Sequence, residues 1–197
     1  AGWEPTIWRM LCHETGMYRL SAYCTHLRGF HAGPQNIRQS HLTYVDWVSG
    51  AILVTPTVLW EELSGLTERW FMYTEDIEYC HRVKEAGRAV AVSSSVTAFH
   101  SVGQSVVARD SNDRSPIETL WITTLYQYYR DYLAVGCFST TVWTLVVSLG
   151  LLSRIAAYRV AATIRSDLSA HYTASAAKFW LSVVALQREY LRRKRVS

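Results

Sequence analysis

The chain has 197 residues, 49% of them hydrophobic and 18% charged. That is room for about one domain with its own core, and it excludes a disordered or low-complexity chain. The four cysteines, at 12, 24, 80 and 137, show no C-x-x-C spacing, which excludes a disulfide framework and a zinc ribbon. The formal net charge is +4, with five basic residues between 188 and 195. No zinc finger, RNP motif or helix-turn-helix pattern accompanies them, so an anionic membrane surface is a better partner than nucleic acid.

Residues 1–44 carry Gly and Pro without periodicity and predict an irregular segment with one short helix near Thr6–Leu11. Their Cys12, His13, Cys24, His26, His31 and His41 fit no common zinc spacing. The run from Val45 to Thr55 is rich in β-formers and is interrupted at Ser49-Gly50. Thr55-Pro56 predicts a capped helix start, with a stop near Ser64-Gly65. Thr74 is the expected N-cap of a helix from Glu75 to Ala86, ended by Gly87, with Ile77, Cys80, Val83 and Ala86 facing inward. Glu75, Asp76 and Glu78 fall in its first turns, where the helix dipole favours negative charge. Glu78 and Arg82 have the i,i+4 spacing of an ion pair. Arg88 to His100 is a second strand run with the continuous small and branched residues of a strand covered on both faces. Strand, helix, loop, helix and strand together predict an α/β architecture.

Ser115-Pro116 predicts a third helix through about Tyr132. Tyr132 to Ser153 follows, 22 residues without a charge. Its Thr140, Thr141, Thr144 and Ser148 form a hydroxyl stripe, which favours an interfacial or domain-packed helix over a membrane span, though the length allows either.

Three pieces of the middle block occur in a telling order: Val45-Asp46-Trp47-Val48-Ser49-Gly50-Ala51, then Phe71-Met72-Tyr73-Thr74-Glu75-Asp76, then His100-Ser101-Val102-Gly103-Gln104-Ser105. This set resembles the C-terminal half of the catalytic domain in inverting family 2 glycosyltransferases, most of all the rhamnosyltransferase-like branch used in cell-wall or polysaccharide assembly. The resemblance implies a partial GT-A type (Rossmann-like) domain followed by C-terminal helices. Residues 1–44 would be its linker segment, 45–114 the C-terminal half of the catalytic domain, and 115–197 a helical, membrane-associated region. The family's nucleotide-binding half and its Asp-x-Asp motif have no counterpart here, so the chain is expected to be inactive without them.

By the same resemblance Asp76 is the catalytic base on the acceptor hydroxyl and Glu75 positions the acceptor or holds the loop. Trp47, Ser49, Gly50, Tyr73 and Arg82 are expected to bind substrate, and His100 to contact a divalent cation, Mg2+ or Mn2+. The partners implied are a nucleotide-sugar donor, a glycan or lipid-linked acceptor and an anionic membrane surface. Nucleotide sugars are cytosolic, so the protein is expected on the cytoplasmic face of the cell membrane as a peripheral or monotopic protein. A single span would carry the Arg-rich tail across, against the positive-inside tendency. The alternative is a non-catalytic module that binds a membrane or a partner.

Overall fold

The structure, a computed structural model, describes residues 1–37, 42–97, 99–100 and 117–194. Helix α1 (Ile7–Glu14) lies in the N-terminal segment, where Thr6 Oγ1 accepts from the Arg9 N–H at 3.3 Å. That hydroxyl satisfies one of the orphan donors at the helix start. Strands β1 (Leu42–Val45) and β2 (Val90–Ser93) pair antiparallel, Val45 opposite Val90. Between them stand α2 (Thr57–Glu62) and α3 (Glu75–Glu85). The C-terminal part holds α4 (Ile117–Tyr128), α5 (Gly136–Ile164) and α6 (Ser169–Lys194).

One continuous core joins these elements, from Trp3 and Met10 through Trp47, Ile77 and Val83 to Ile122, Trp143 and Leu186. Two aromatic hydrogen bonds tie distant parts of the chain into it. The buried Trp143 indole donates to the Pro5 carbonyl at 2.7 Å, and the Trp47 indole to the Trp3 carbonyl at 3.1 Å. Gly2 bridges His31 and Trp47, and a Cβ there would lie 1.9 Å from the Phe30 carbonyl oxygen. Only glycine fits that approach.

The first strand lies upstream of the run from Val45 to Thr55 predicted for it and shares only Val45 with that run, and the second is shorter than predicted. β1 ends at Val45, Trp47 adds a single bridge, and Gly50–Ile52 coils into a 3-10 turn in which Ser49 Oγ accepts from the Ala51 N–H. Past Val45 the backbone turns from β2 to Gly2, whose carbonyl accepts from the Asp46 N–H at 2.8 Å. β2 likewise takes only four residues of the run from Arg88 to His100.

Helix starts also differ from expectation. Pro56, not Thr55, stands at the cap of α2, and the Thr55 hydroxyl bonds the Tyr79 phenol at 2.9 Å. Thr74 precedes α3 in the left-handed region (φ 76°) and makes no capping bond; its hydroxyl donates to Thr124 Oγ1 at 2.9 Å. A buried partner on another helix outcompetes the local cap. The predicted stops hold better, with Ser64, Gly65 and Gly87 all at positive φ. Of the four predicted inward positions on α3, Ile77, Cys80 and Val83 are buried, while Ala86 is exposed.

In the C-terminal part, the uncharged segment enters its helix at Gly136 (φ 78°), after a π-helical turn from Tyr129 to Leu133. α5 and α6 fold back on each other as a hairpin. Gln187 Nε2 donates to Ser148 Oγ at 2.9 Å, and the Thr141 and Tyr190 hydroxyls meet at 2.9 Å. The hydroxyl stripe therefore turns inward: Thr140, Thr144 and Ser148 are buried, the two threonines bonding carbonyls one turn back. Phe138, Leu145, Leu149, Leu152, Val160 and Ile164 face outward instead. The stripe faces the protein because a hydroxyl that bonds its own helix carbonyl is already satisfied and packs like an apolar group.

Candidate active site

Asp76 and Glu75 open α3, and the turn before them is strained. Tyr73 (φ 66°) and Thr74 (φ 76°) are consecutive non-glycine residues in the left-handed region. Each costs of order 1–3 kcal/mol and persists only where surrounding structure holds it. Here the Thr74–Thr124 hydroxyl pair does so from α4, with both side chains buried. Such strain places the first turn of α3 in a set orientation.

That orientation brings Asp76 to the Ser49-Gly50 turn. Asp76 Oδ2 accepts from the Gly50 N–H at 2.9 Å, and Oδ1 from the Ile77 N–H at 2.8 Å. Each oxygen keeps a lone pair for another donor. The carboxylate is half-buried, while Ser49 and Gly50 are exposed. Residues 26 positions apart thus form one edge of an open site. Glu75 beside it is more enclosed. Its Oε2 is buried without a hydrogen-bond partner, and burial first, then the Asp76 charge, raises its pKa. Neighbouring carboxyls in unlike surroundings are suited to different protonation roles.

The expected substrate-binding residues divide. Tyr73 is 40% exposed and stands next to the carboxylates, where it can stack on a ligand. Trp47 is only 6% exposed, packed against Phe30 at 5.0 Å and His31 at 5.5 Å between ring centroids. It belongs to the core, because the bridge to Gly2 folds the N-terminal segment over it. Arg82 makes the predicted pair with Glu78, two-pronged at 2.8 and 2.9 Å. Its guanidinium also donates to the Leu63 carbonyl and, at 2.7 Å, to that of Gly65. It latches the end of α2 to α3, so its donors are spent on the protein rather than on a ligand. Glu78 is correspondingly buried rather than a solvated first-turn acid, and also accepts from the Tyr132 hydroxyl at 3.2 Å.

His100 is exposed, and Gly103 and Ser105 of its motif lie outside the described residues. Among the described residues no three His, Cys, Asp or Glu side chains converge as a metal site. The described residues do not by themselves fit a divalent cation, since among them His100 supplies one ligand at most.

Two polar clusters escaped sequence reasoning because their members are far apart in the chain. Lys84 bridges Asp46 at 2.7 Å and Glu4 at 3.0 Å, while His81 Nδ1 lies 3.1 Å from both Glu4 and the Tyr128 phenol. Burial opposes the Lys84 charge, but the two carboxylates overcome it and raise its pKa. Where α1 meets α5, Glu14 lies beneath Arg154 with Oε2 at 3.0 Å from Nη2, outside hydrogen-bonding geometry. Burial pushes Glu14 up to about 7 against the Arg154 charge.

Over 95 residues, 48% of its length, the chain is 24% identical to the Low-salt glycan biosynthesis hexosyltransferase Agl10 of Haloferax volcanii. It spans 27% of that relative's length. No family model matches the chain, and no solved structure matches it. The similarity relates the chain to glycosyltransferases in general, without distinguishing a family among them.

Proposed function

We propose that the chain is the C-terminal, acceptor-side part of a GT-A type inverting glycosyltransferase of the family 2 kind. It works with a nucleotide-binding half to move a sugar, of which rhamnose is one candidate, from a nucleotide donor to a glycan or lipid-linked acceptor. One observation carries this reading: the Asp76 carboxylate, set by a strained turn, fronts the exposed Ser49-Gly50 backbone. The hexosyltransferase similarity supports the same class of chemistry.

In this reading the acceptor hydroxyl lies against Asp76. As its oxygen attacks the anomeric carbon of the donor, its proton passes to the carboxylate. The bond from that carbon to the diphosphate oxygen breaks on the opposite face, and the nucleoside diphosphate departs with the electron pair. A base held in place before the reaction contributes typically about 10²–10⁴-fold. Glu75, whose pKa is raised chiefly by burial, stands beside the base and positions the acceptor.

The outward row of α5 supports attachment to a membrane surface. α5 is 29 residues long, and 22% of its most apolar stretch is buried in the protein. α1 lies along it near Gly150 and Arg154, with the N-terminal segment at Trp143. A spanning orientation would drag those polar neighbours into hydrocarbon at a cost of several kcal/mol. An in-plane orientation buries only the Leu145–Leu149–Leu152 side.

The test is Asp76→Asn in the complete enzyme, assayed for transfer and, separately, for donor binding. Transfer should fall at least 100-fold, by the base contribution above, with donor affinity unchanged. A variant that retains most of its turnover removes Asp76 from the chemistry.

A further inference from the structure

Residues 69–74, the segment that leads into Glu75-Asp76, run back along α4 and the π-helical turn that follows it. Three side chains of the segment are held there. Arg69 pairs with Asp131, the Trp70 indole donates to Gln127 Oε1 at 2.8 Å, and the Thr74 hydroxyl donates to Thr124 Oγ1 at 2.9 Å. Residues 124, 127 and 131 stand in an i, i+3, i+7 series and so share one helical face. Trp70 is buried, with the Arg69 guanidinium 4.8 Å from its ring centroid.

The two anchors nearest Asp76 do not match the length of chain between them. Thr124 and Gln127 are about 4.5 Å apart along the helix axis. Four extended residues, from Trp70 to Thr74, would span about 13 Å. The chain has to double back within that interval, and it does so at Tyr73 (φ 66°) and Thr74 (φ 76°). A strained turn relaxes when either end is released, so the Thr74–Thr124 bond needs a counterpart at Trp70.

The hold on Trp70 has fixed hydrogen-bond roles. An indole N–H only donates, so it takes the amide oxygen of Gln127; an ionised carboxylate only accepts, so the amide nitrogen turns to Glu189. Gln127 Nε2 donates to Glu189 Oε1 at 2.9 Å. Glu189 belongs to α6, so the hairpin sets which way the Gln127 amide points. Beyond the turn, Asp76 Oδ2 accepts from the Gly50 N–H, which is exposed and has no other acceptor among the described residues. Exchange of that one amide proton with water therefore reports whether the carboxylate is in place.

We propose that Gln127 is a positioning residue for Asp76: it grips Trp70 while Glu189 holds its amide, fixes the far end of the strained turn and so keeps the carboxylate on Gly50. That Asp76 acts as the base rests on the glycosyltransferase reading; that Gln127 places it does not. The experiment is solvent exchange of the Gly50 amide, followed by NMR at neutral pH in the natural chain and two variants. Gln127→Glu keeps an acceptor for Trp70 but sets two carboxylates against each other. Gln127→Glu with Glu189→Gln restores every donor and acceptor in exchanged order. The single variant should speed Gly50 exchange about tenfold, the worth of one hydrogen bond to a charged group, with the β1–β2 amides unaffected. The double variant should return it to within about twofold of the natural rate. In the complete enzyme the single variant should lower kcat about tenfold at unchanged donor KM, and the double variant should restore it. An unchanged Gly50 rate, or an acceleration that the double variant does not reverse, would overturn the proposal. Equal acceleration of the β1–β2 amides would make Gln127 a prop of general stability and overturn it as well. If Gly50 responds as expected while Asp76→Asn keeps its turnover, the base reading fails and the positioning of the carboxylate stands.

Discussion

The region around Asp76 and the α5–α6 hairpin solve opposite problems. The first, from Leu42 to His100, has two four-residue strands and short helices joined by exposed turns. It holds its shape with polar ties, Asp76 to Gly50, Arg82 to Glu78 and Lys84 to Asp46. The second is long and regular, with Thr140, Thr144 and Ser148 of α5 turned in and Leu145, Leu149 and Leu152 turned out. The contrast teaches where each region keeps its reactive surface. The turn region presents carboxylates on strained backbone, and the hairpin presents an uncharged face that water does not favour.

Four measurements test that contrast. Trp47→Ala should destabilise the chain by about 3–5 kcal/mol, as buried tryptophan truncations do. A denaturation midpoint that stays put would return Trp47 to the substrate surface and blur the line between core and site. Second, the buried Glu14 makes the seam between α1 and the hairpin sensitive to pH. Its folded pKa of about 7 exceeds the ordinary 4.5, so the folded state holds the proton more tightly. That contribution is full below pH 4.5 and is lost as pH rises through 7. Between pH 4.5 and 8 the natural chain should lose about 3 kcal/mol relative to Glu14→Gln, measured by urea unfolding at both pH values. Parallel curves for the two proteins would mean that Glu14 stays ionised against Arg154.

Third, Gly150 lets that seam close. A Cβ there would fall 2.0 Å from Glu14 Oε2 and 2.5 Å from Glu14 Cβ. Gly150→Ala should therefore cost about 1–3 kcal/mol despite its gain in helix propensity, because neither the backbone nor the buried glutamate can withdraw. A stabilised variant would show that α1 sits loosely on the hairpin. The smallest effect belongs to the outward row. Leu145→Ser with Leu149→Ser should change unfolding stability by no more than about 0.5 kcal/mol per site, as exposed positions do. The same variant should lose co-sedimentation with vesicles of anionic phospholipid. Unchanged co-sedimentation would detach the membrane reading from α5.

Much of the local plan was legible in the sequence. The short helix near Thr6–Leu11, the start of α3 at Glu75, its stop at Gly87 and the Glu78–Arg82 pair are signals between residues within one or two turns. Short-range signals survive folding unless a stronger partner intervenes, as Thr124 did for Thr74. The placement of Asp76 at a helix start was readable, whereas its bond to Gly50 was not.

Readable from the sequence were α3, the carboxylate pair at its head, the basic C-terminus and the uncharged stretch before it, but neither the extent of α5 to Ile164 nor the helix α6. The inward face of α3 at Ile77, Cys80 and Val83 was legible too, whereas packing settled the facing of Trp47, Arg82 and the α5 stripe. Trp47 went inward because Gly2 lets the N-terminal segment close over it, and Arg82 was spent on the carbonyls of Leu63 and Gly65. The Thr140–Thr144–Ser148 stripe faced protein rather than water because α6 offered Gln187 and helix carbonyls satisfied the rest. A periodicity separates two faces of a helix, but only the neighbour that packs against one of them makes it the inside.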